Sequence, residues 1–156
     1  MLYVHGSPRN HLWEFIYPED IYHERKMSKI GTQFNRVCFT GLTGVPGVFV
    51  ERGPGRWEFF GPEDCVGGFQ VAGQRVICNV GAVGYPRDGD RRACYVLFDG
   101  ETIWFRRVEY DVETNKKYAD FGAVTIDGVG HYPMLEKPEE FNRKLRAVLA
   151  EFAGRK

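Results

Sequence analysis

Short apolar runs separated by glycine- and proline-rich turns dominate this chain. Leu2-Tyr3-Val4, Val37-Cys38-Phe39 and Val48-Phe49-Val50-Glu51 read as strands. Gly53-Pro54-Gly55 is a turn, and Arg56 to Phe60 returns as a hairpin partner. Phe69–Ala72, Gly73 and Arg75–Val80 predict a second hairpin. Arg92–Phe98, Asp99-Gly100 and Thr102–Tyr110 predict a third, the dipeptide suiting a type I′ turn. Pro86-Arg87-Asp88-Gly89-Asp90 is a strong turn, in which Arg87 pairs with its own aspartates. Phe121–Ile126 is a further strand, and Asp127 belongs to the turn after it.

Two segments carry a helical period instead. Pro18-Glu19-Asp20 is a good helix start, and His23, Met27, Ile30 and Phe34 form one face of a helix near residues 18–34 that Gly31 interrupts. A C-terminal helix opens at Pro138-Glu139-Glu140, with Phe141, Leu145, Val148, Leu149 and Phe152 as its stripe. The expected fold is α+β, a mostly antiparallel sheet over residues 36–111 with the two helices packed against it.

Composition narrows the function classes. The chain has 156 residues, which suits a single domain spanning 1–156, and its 15% aromatic content favours a β-rich core. A formal net charge of zero argues against electrostatic binding of nucleic acid or an acidic membrane, and it makes self-association easier. No apolar run approaches the ~18 residues that cross a bilayer. Cys38, Cys65, Cys78 and Cys94 form no CxxC pair, which reads as buried free thiols in a reducing compartment. Met1 leads straight into a strand with no signal peptide, so the expected location is cytoplasmic; a chain opening on a buried strand suggests that a preceding segment has been removed.

Three stretches, in order, resemble one family. His5-Gly6-Ser7-Pro8-Arg9 is similar to the His-Gly-Ser-Pro loop of calcineurin-like metallophosphoesterases. Thr40-Gly41-Leu42-Thr43-Gly44-Val45-Pro46 falls where that family has Gly-His-Thr-His-x-Pro. Asn79–Asp90 resembles its Gly-Ser-x-Gly-x-Pro-Arg-Asp-Gly-Asp segment, with Ala82 for the usual Ser and Tyr85 for a frequent Gln. The resemblance covers about residues 1–115 and is to the C-terminal half of such enzymes. It implies part of a two-sheet sandwich, of which this chain should keep mainly one sheet. It also implies a two-metal chemistry in which the ions activate water and clamp the phosphoryl group. Of the later ligand histidines only His5 remains, while Leu42 and Gly44 stand at the others and cannot ligate. A metal such as Mn or Zn would therefore rest on His5 with partners such as His11 or His23, and the expectation is that none is bound.

The segment at about 119–154 resembles the last strand, catalytic-histidine loop and final helix of an α/β-hydrolase. By that resemblance His131 is the general base of a triad, yet no Gly-x-Ser-x-Gly elbow is present. The expected organisation is a metallophosphoesterase-like part, 1–117, joined to a hydrolase-like tail, 118–156, in a recombined or designed chain. Three functions follow as expectations. The chain is a non-catalytic or strongly impaired derivative of a phosphoesterase. Alternatively, it is a hydrolase using His5 and His131 as catalytic groups, with Ser7 and Arg9 binding an anionic substrate. The third is a self-associating, homodimeric or ligand-binding module using the apolar former active site.

Overall fold

The computed structural model describes residues 1–84, 86–111, 126 and 136–153. The chain divides into two compact units, Met1–Val112 and Glu113–Lys156. The first unit contains β1 (Leu2–Tyr3), a 3-10 helix (Pro18–Tyr22), α1 (Glu24–Gly31), β2 (Val37–Thr40), β3 (Gly47–Gly53), β4 (Arg56–Phe60), β5 (Phe69–Gln70), β6 (Val76–Asn79), β7 (Ala93–Phe98) and β8 (Thr102–Val108). The second contains α2 (Pro138–Ala153), opened by Pro138 with Glu139 and Glu140 in its first turn. On its stripe Phe141 is half-buried and Leu145 exposed.

The first unit holds two sheets. Five strands run in the order β1-β2-β6-β3-β4 and three in the order β5-β8-β7. β1, β2 and β6 are mutually parallel neighbours, and every other pairing is antiparallel. The fold is thus α+β with mostly antiparallel pairing. It departs from the expectation of mainly one sheet, because β5, β7 and β8 form a second one.

The five-stranded sheet is buried on both faces, and the side-chain period of two sorts its residues between them. Val37, Phe39, Val48, Val50, Val76 and Cys78 join one core cluster with Ile103 of β8, so they face the three-stranded sheet. The alternate residues Cys38, Phe49 and Ile77 join Met27 and Ile30 of α1 in the other cluster. Layers therefore run helix, sheet, sheet. Register is well specified, since a slip by one residue would exchange two differently packed faces.

Two local predictions are corrected. Helix 18–34 is broken: His23 takes φ −99°, ψ 67°, separating the 3-10 helix from α1, which ends at Gly31. Met27, Ile30 and Phe34 are buried as expected, but His23 is exposed and its Nδ1 lies 3.1 Å from Asp20 Oδ1. The 69–80 hairpin does not form either. Its turn exists, with Gln74 N–H donating to the Val71 carbonyl at 2.9 Å, but β5 pairs with β8 while β6 enters the centre of the larger sheet.

At Asp99-Gly100 only Gly100 has positive φ, 108°, so this is not the type I′ turn. The Asp99 carboxylate accepts the amides of Glu101 at 2.9 Å and Thr102 at 2.7 Å, and those backbone bonds hold its pKa down.

Asp20 anchors the helical layer. Its carboxylate accepts from the Tyr17 amide at 2.8 Å and from Lys26 Nζ, which also reaches the Phe15 carbonyl at 2.8 Å. Burial pushes the Asp20 carboxyl up, but Lys26, the Tyr17 amide and His23 outweigh it and leave the pKa below the usual value. A depressed carboxylate stabilises the fold fully above its unfolded pKa of about 3.9, and that contribution is lost as pH falls through the lower folded value. Thermal unfolding measured from pH 6 down to pH 2 is expected to show this acid limb. Asp20→Asn is expected to flatten the limb and to cost about 1–2 kcal/mol at neutral pH.

Candidate functional site

The parallel strands β1, β2 and β6 end side by side, which brings the loops after them together. Val4 N–H donates to the Phe39 carbonyl at 3.0 Å, and Val80 N–H to the Thr40 carbonyl at 2.9 Å. Beyond the strands, Gly41 and Leu42 donate to the His5 carbonyl at 3.1 and 2.9 Å. All three sequence-predicted loops thus meet at one end of the larger sheet, with His5 exposed beside Leu42.

A buried amide braces this arrangement. Asn79 Nδ2 donates to Thr43 Oγ1 at 2.6 Å, and Asn79 Oδ1 accepts the Gly81 amide at 3.0 Å. Asn79 and Thr43 are 2% and 1% exposed, so each polar atom depends on the other. Sequence reasoning missed both as structural residues. The available signal was an amide ending an otherwise apolar strand, Val76-Ile77-Cys78.

The Ser7–Arg9 loop already holds an anion, its own Glu14. Ser7 Oγ is buried, donates to Glu14 Oε2, and accepts the amides of Arg9 at 3.1 Å and Asn10 at 3.0 Å. Arg9 forms an ion pair with both oxygens of the same carboxylate. Burial raises the Glu14 pKa, but Arg9 and Ser7 outweigh it and hold the group below the ordinary range. The loop amides point inward, Gly6 to the His11 carbonyl at 2.7 Å and Ser7 to the Asn10 carbonyl at 2.8 Å. An external phosphate would have to displace Glu14.

The positions where a metal would be held do not fit one. Leu42 offers no donor. Gly44 takes φ +65°, where a Cβ would lie 3.4 Å from Ala82 Cβ and 3.9 Å from the Arg87 methylenes. Among the described residues no group of three His, Cys, Asp or Glu can hold an ion. His23 is tied to Asp20, and the Thr40 hydroxyl, buried at the end of β2, has no hydrogen-bond partner among the described residues. Nor do Asp88 and Asp90 pair with Arg87: Asp88 pairs with Arg107, and Asp90 with Arg92 at 2.6 Å. Arg92 heads the causes that push the Asp90 carboxyl far below the ordinary range.

The four cysteines are free and buried. Burial raises the Cys38 thiol to about 12 and Cys65 to about 11, so neither is a nucleophile at neutral pH. His131 and Tyr85 lie outside the described residues, as does the predicted strand 121–126 apart from Ile126. No described helix is long and apolar enough to cross a membrane.

The layered sheets and the three converging loops are those of a metallophosphoesterase-like fold. The crystal structure of a metallophosphoesterase from Sphaerobacter thermophilus superposes with a TM-score of 0.62 at 35% identity, covering 75% of this chain and 49% of that one. An uncharacterized protein of Methanocaldococcus jannaschii is 26% identical over 122 residues, which are 72% of this chain and 42% of that protein. The chain therefore spans about half the length of either. No family model matches it.

Proposed function

We propose that this chain descends from a metal-dependent phosphoesterase and is itself non-catalytic or strongly impaired. The observation that carries the reading is the loop after β2, where Leu42 and Gly44 offer no ligand and, among the described residues, no group of three His, Cys, Asp or Glu could hold an ion. A catalytic ion requires about three protein ligands, and affinity falls away without them. The Ser7–Glu14–Arg9 cluster adds support, since the two side chains expected to bind an anionic substrate are already engaged by Glu14.

The test is metal content after equilibration with Mn or Zn, together with hydrolysis of a chromogenic phosphodiester in excess Mn. The expected result is no stoichiometric metal and no turnover above that of His5→Ala. Robust turnover that His5→Ala abolishes would overturn the proposal.

We read the tail from 118 onward, with His131, as a graft of α/β-hydrolase type in a recombined or designed chain; the division into units after Val112 supports this. Four buried free thiols support a reducing compartment. Self-association as a homodimer is supported by the exposed Leu12, Trp13, Phe15, Tyr17 and Tyr22, a concentration of apolar surface within one short segment.

A further inference from the structure

The loop from Gly6 to Asn10 holds its shape through its own backbone. Gly6 N–H donates to the His11 carbonyl at 2.7 Å and Ser7 N–H to the Asn10 carbonyl at 2.8 Å. A Cβ on Gly6 would lie 2.5 Å from the Asn10 carbonyl oxygen, so the two ends of the loop are closely apposed. Within this frame the Ser7 hydroxyl has one role left. Its oxygen accepts the Arg9 amide at 3.1 Å and the Asn10 amide at 3.0 Å. A hydroxyl has two acceptor lone pairs and one proton, so with both pairs engaged it can act further only as a donor. That donor is buried, fixed in place by backbone N–H groups, and aimed at the Glu14 carboxylate.

Arg9 completes the set. Its Nε donates to Glu14 Oε2 at 3.1 Å and its Nη2 to Oε1, the paired geometry in which a guanidinium holds a planar oxyanion. The carboxylate itself comes from a segment with little else buried. From His11 to Phe15 every side chain but Glu14 is exposed, and the next buried anchor is Ile16. Turning the Glu14 side chain outward therefore uncovers no apolar core. It leaves one directed hydroxyl and one guanidinium fork, and among the described residues neither has another acidic partner.

We propose that the Ser7–Arg9 loop is an anion site occupied in cis, with Glu14 as a built-in competitor, and that a small free carboxylate or phosphate takes the same donors when Glu14 turns away. Both oxyanions present the same chemistry, two oxygens on one edge, to the hydroxyl and the fork. In the parent chain the tethered carboxylate is always at hand, so an external anion competes against a high effective concentration. The site uses neither His5 nor a metal ion, so it stands whether or not the chain retains any phosphoesterase activity.

Two-dimensional NMR of the whole chain, titrated with sodium formate or with inorganic phosphate at constant ionic strength, reads the Arg9 and Asn10 amides directly. Glu14→Ala should show saturable shifts of both amides, with an affinity roughly tenfold or more above that of the parent. Glu14→Gln keeps the side chain's length without its charge and should fall between. Adding Arg9→Gln to either variant should weaken binding roughly tenfold, as the loss of a charge-assisted bidentate contact implies. Glu101→Ala, in the turn between β7 and β8, should bind as the parent does. Thermal melts establish that each variant is folded, and Glu14→Gln carries the comparison if Glu14→Ala is not. Tighter binding of formate identifies a carboxylate as the preferred occupant, tighter binding of phosphate a phosphoryl group, and either supports the site. The proposal fails if the folded Glu14 variants show no saturable shift, if Arg9→Gln leaves their binding unchanged, or if the parent binds as tightly.

Discussion

Phe49→Ala is expected to destabilise the first unit by about 3–5 kcal/mol, the largest effect of any single truncation considered. Phe49 is 1% exposed and sits on the β3 face that α1 covers. Its ring centroid lies 4.8 Å from that of Phe59 at 56°, a tilted pair worth something beyond buried area alone. Ile77 pairs with it across the ladder, and Met27, Ile30 and Trp57 complete the cluster. Removing the ring opens a void that the adjoining strands cannot close by moving inward, since both are locked by their opposite faces. Urea denaturation followed by circular dichroism checks the magnitude. A cost below that of an exposed truncation such as Tyr22→Ala would show that α1 does not cover this face.

Gly81→Ala is expected to cost about 2–4 kcal/mol for two separable reasons. Gly81 takes φ +82°, a conformation that L side chains enter only with strain. A Cβ there would also lie 2.7 Å from Cys94 Cβ and 2.8 Å from its Sγ. A Cβ fixed to β7 has little room to move, so the loop after β6 would have to shift, disturbing the bond from the Gly81 amide to Asn79. Gly89→Ala isolates the first reason, because Gly89 has φ +84° and open space around it. Its expected cost is about 1 kcal/mol. Equal costs in the two variants, measured by the same denaturation, would remove the packing argument.

What the sequence revealed followed the range of the interactions. The β7–β8 hairpin was legible because its turn lies between its two partners. The same logic misled at residues 69–80: the turn at Gly73 forms, but its flanks pair with distant strands. A short apolar run such as Val76-Ile77-Cys78 declares that it is buried and says nothing about its neighbours. The break at His23 was hidden because the helical period of Met27, Ile30 and Phe34 extends past it. Here the 3-10 step comes from a backbone bond, His23 N–H to the Asp20 carbonyl at 2.8 Å.

The candidate site divided in the same way. Its three loops were found through a resemblance, and they do meet. Asn79's contact with Thr43 was not legible, because it joins residues 36 apart that show no pattern in common. Glu14 was within reach of reasoning: an acid five residues after Arg9 in a compact loop is a natural partner for it. That pairing turned an expected phosphate pocket into a closed ion pair.

The placement of β6 between β2 and β3 governs how this sheet is assembled. The β3–β4 ribbon closes across a short turn and can form while the rest of the chain is still open. The central seam cannot, because Val37–Thr40 must wait for Val76–Asn79 to arrive from beyond the intervening strands β3, β4 and β5. Closing that seam joins parallel and antiparallel partners to one strand at once. Sheet completion is thus the late, entropically costly event in folding, and until it occurs both faces of β2 and β3 stand open to water and to other chains.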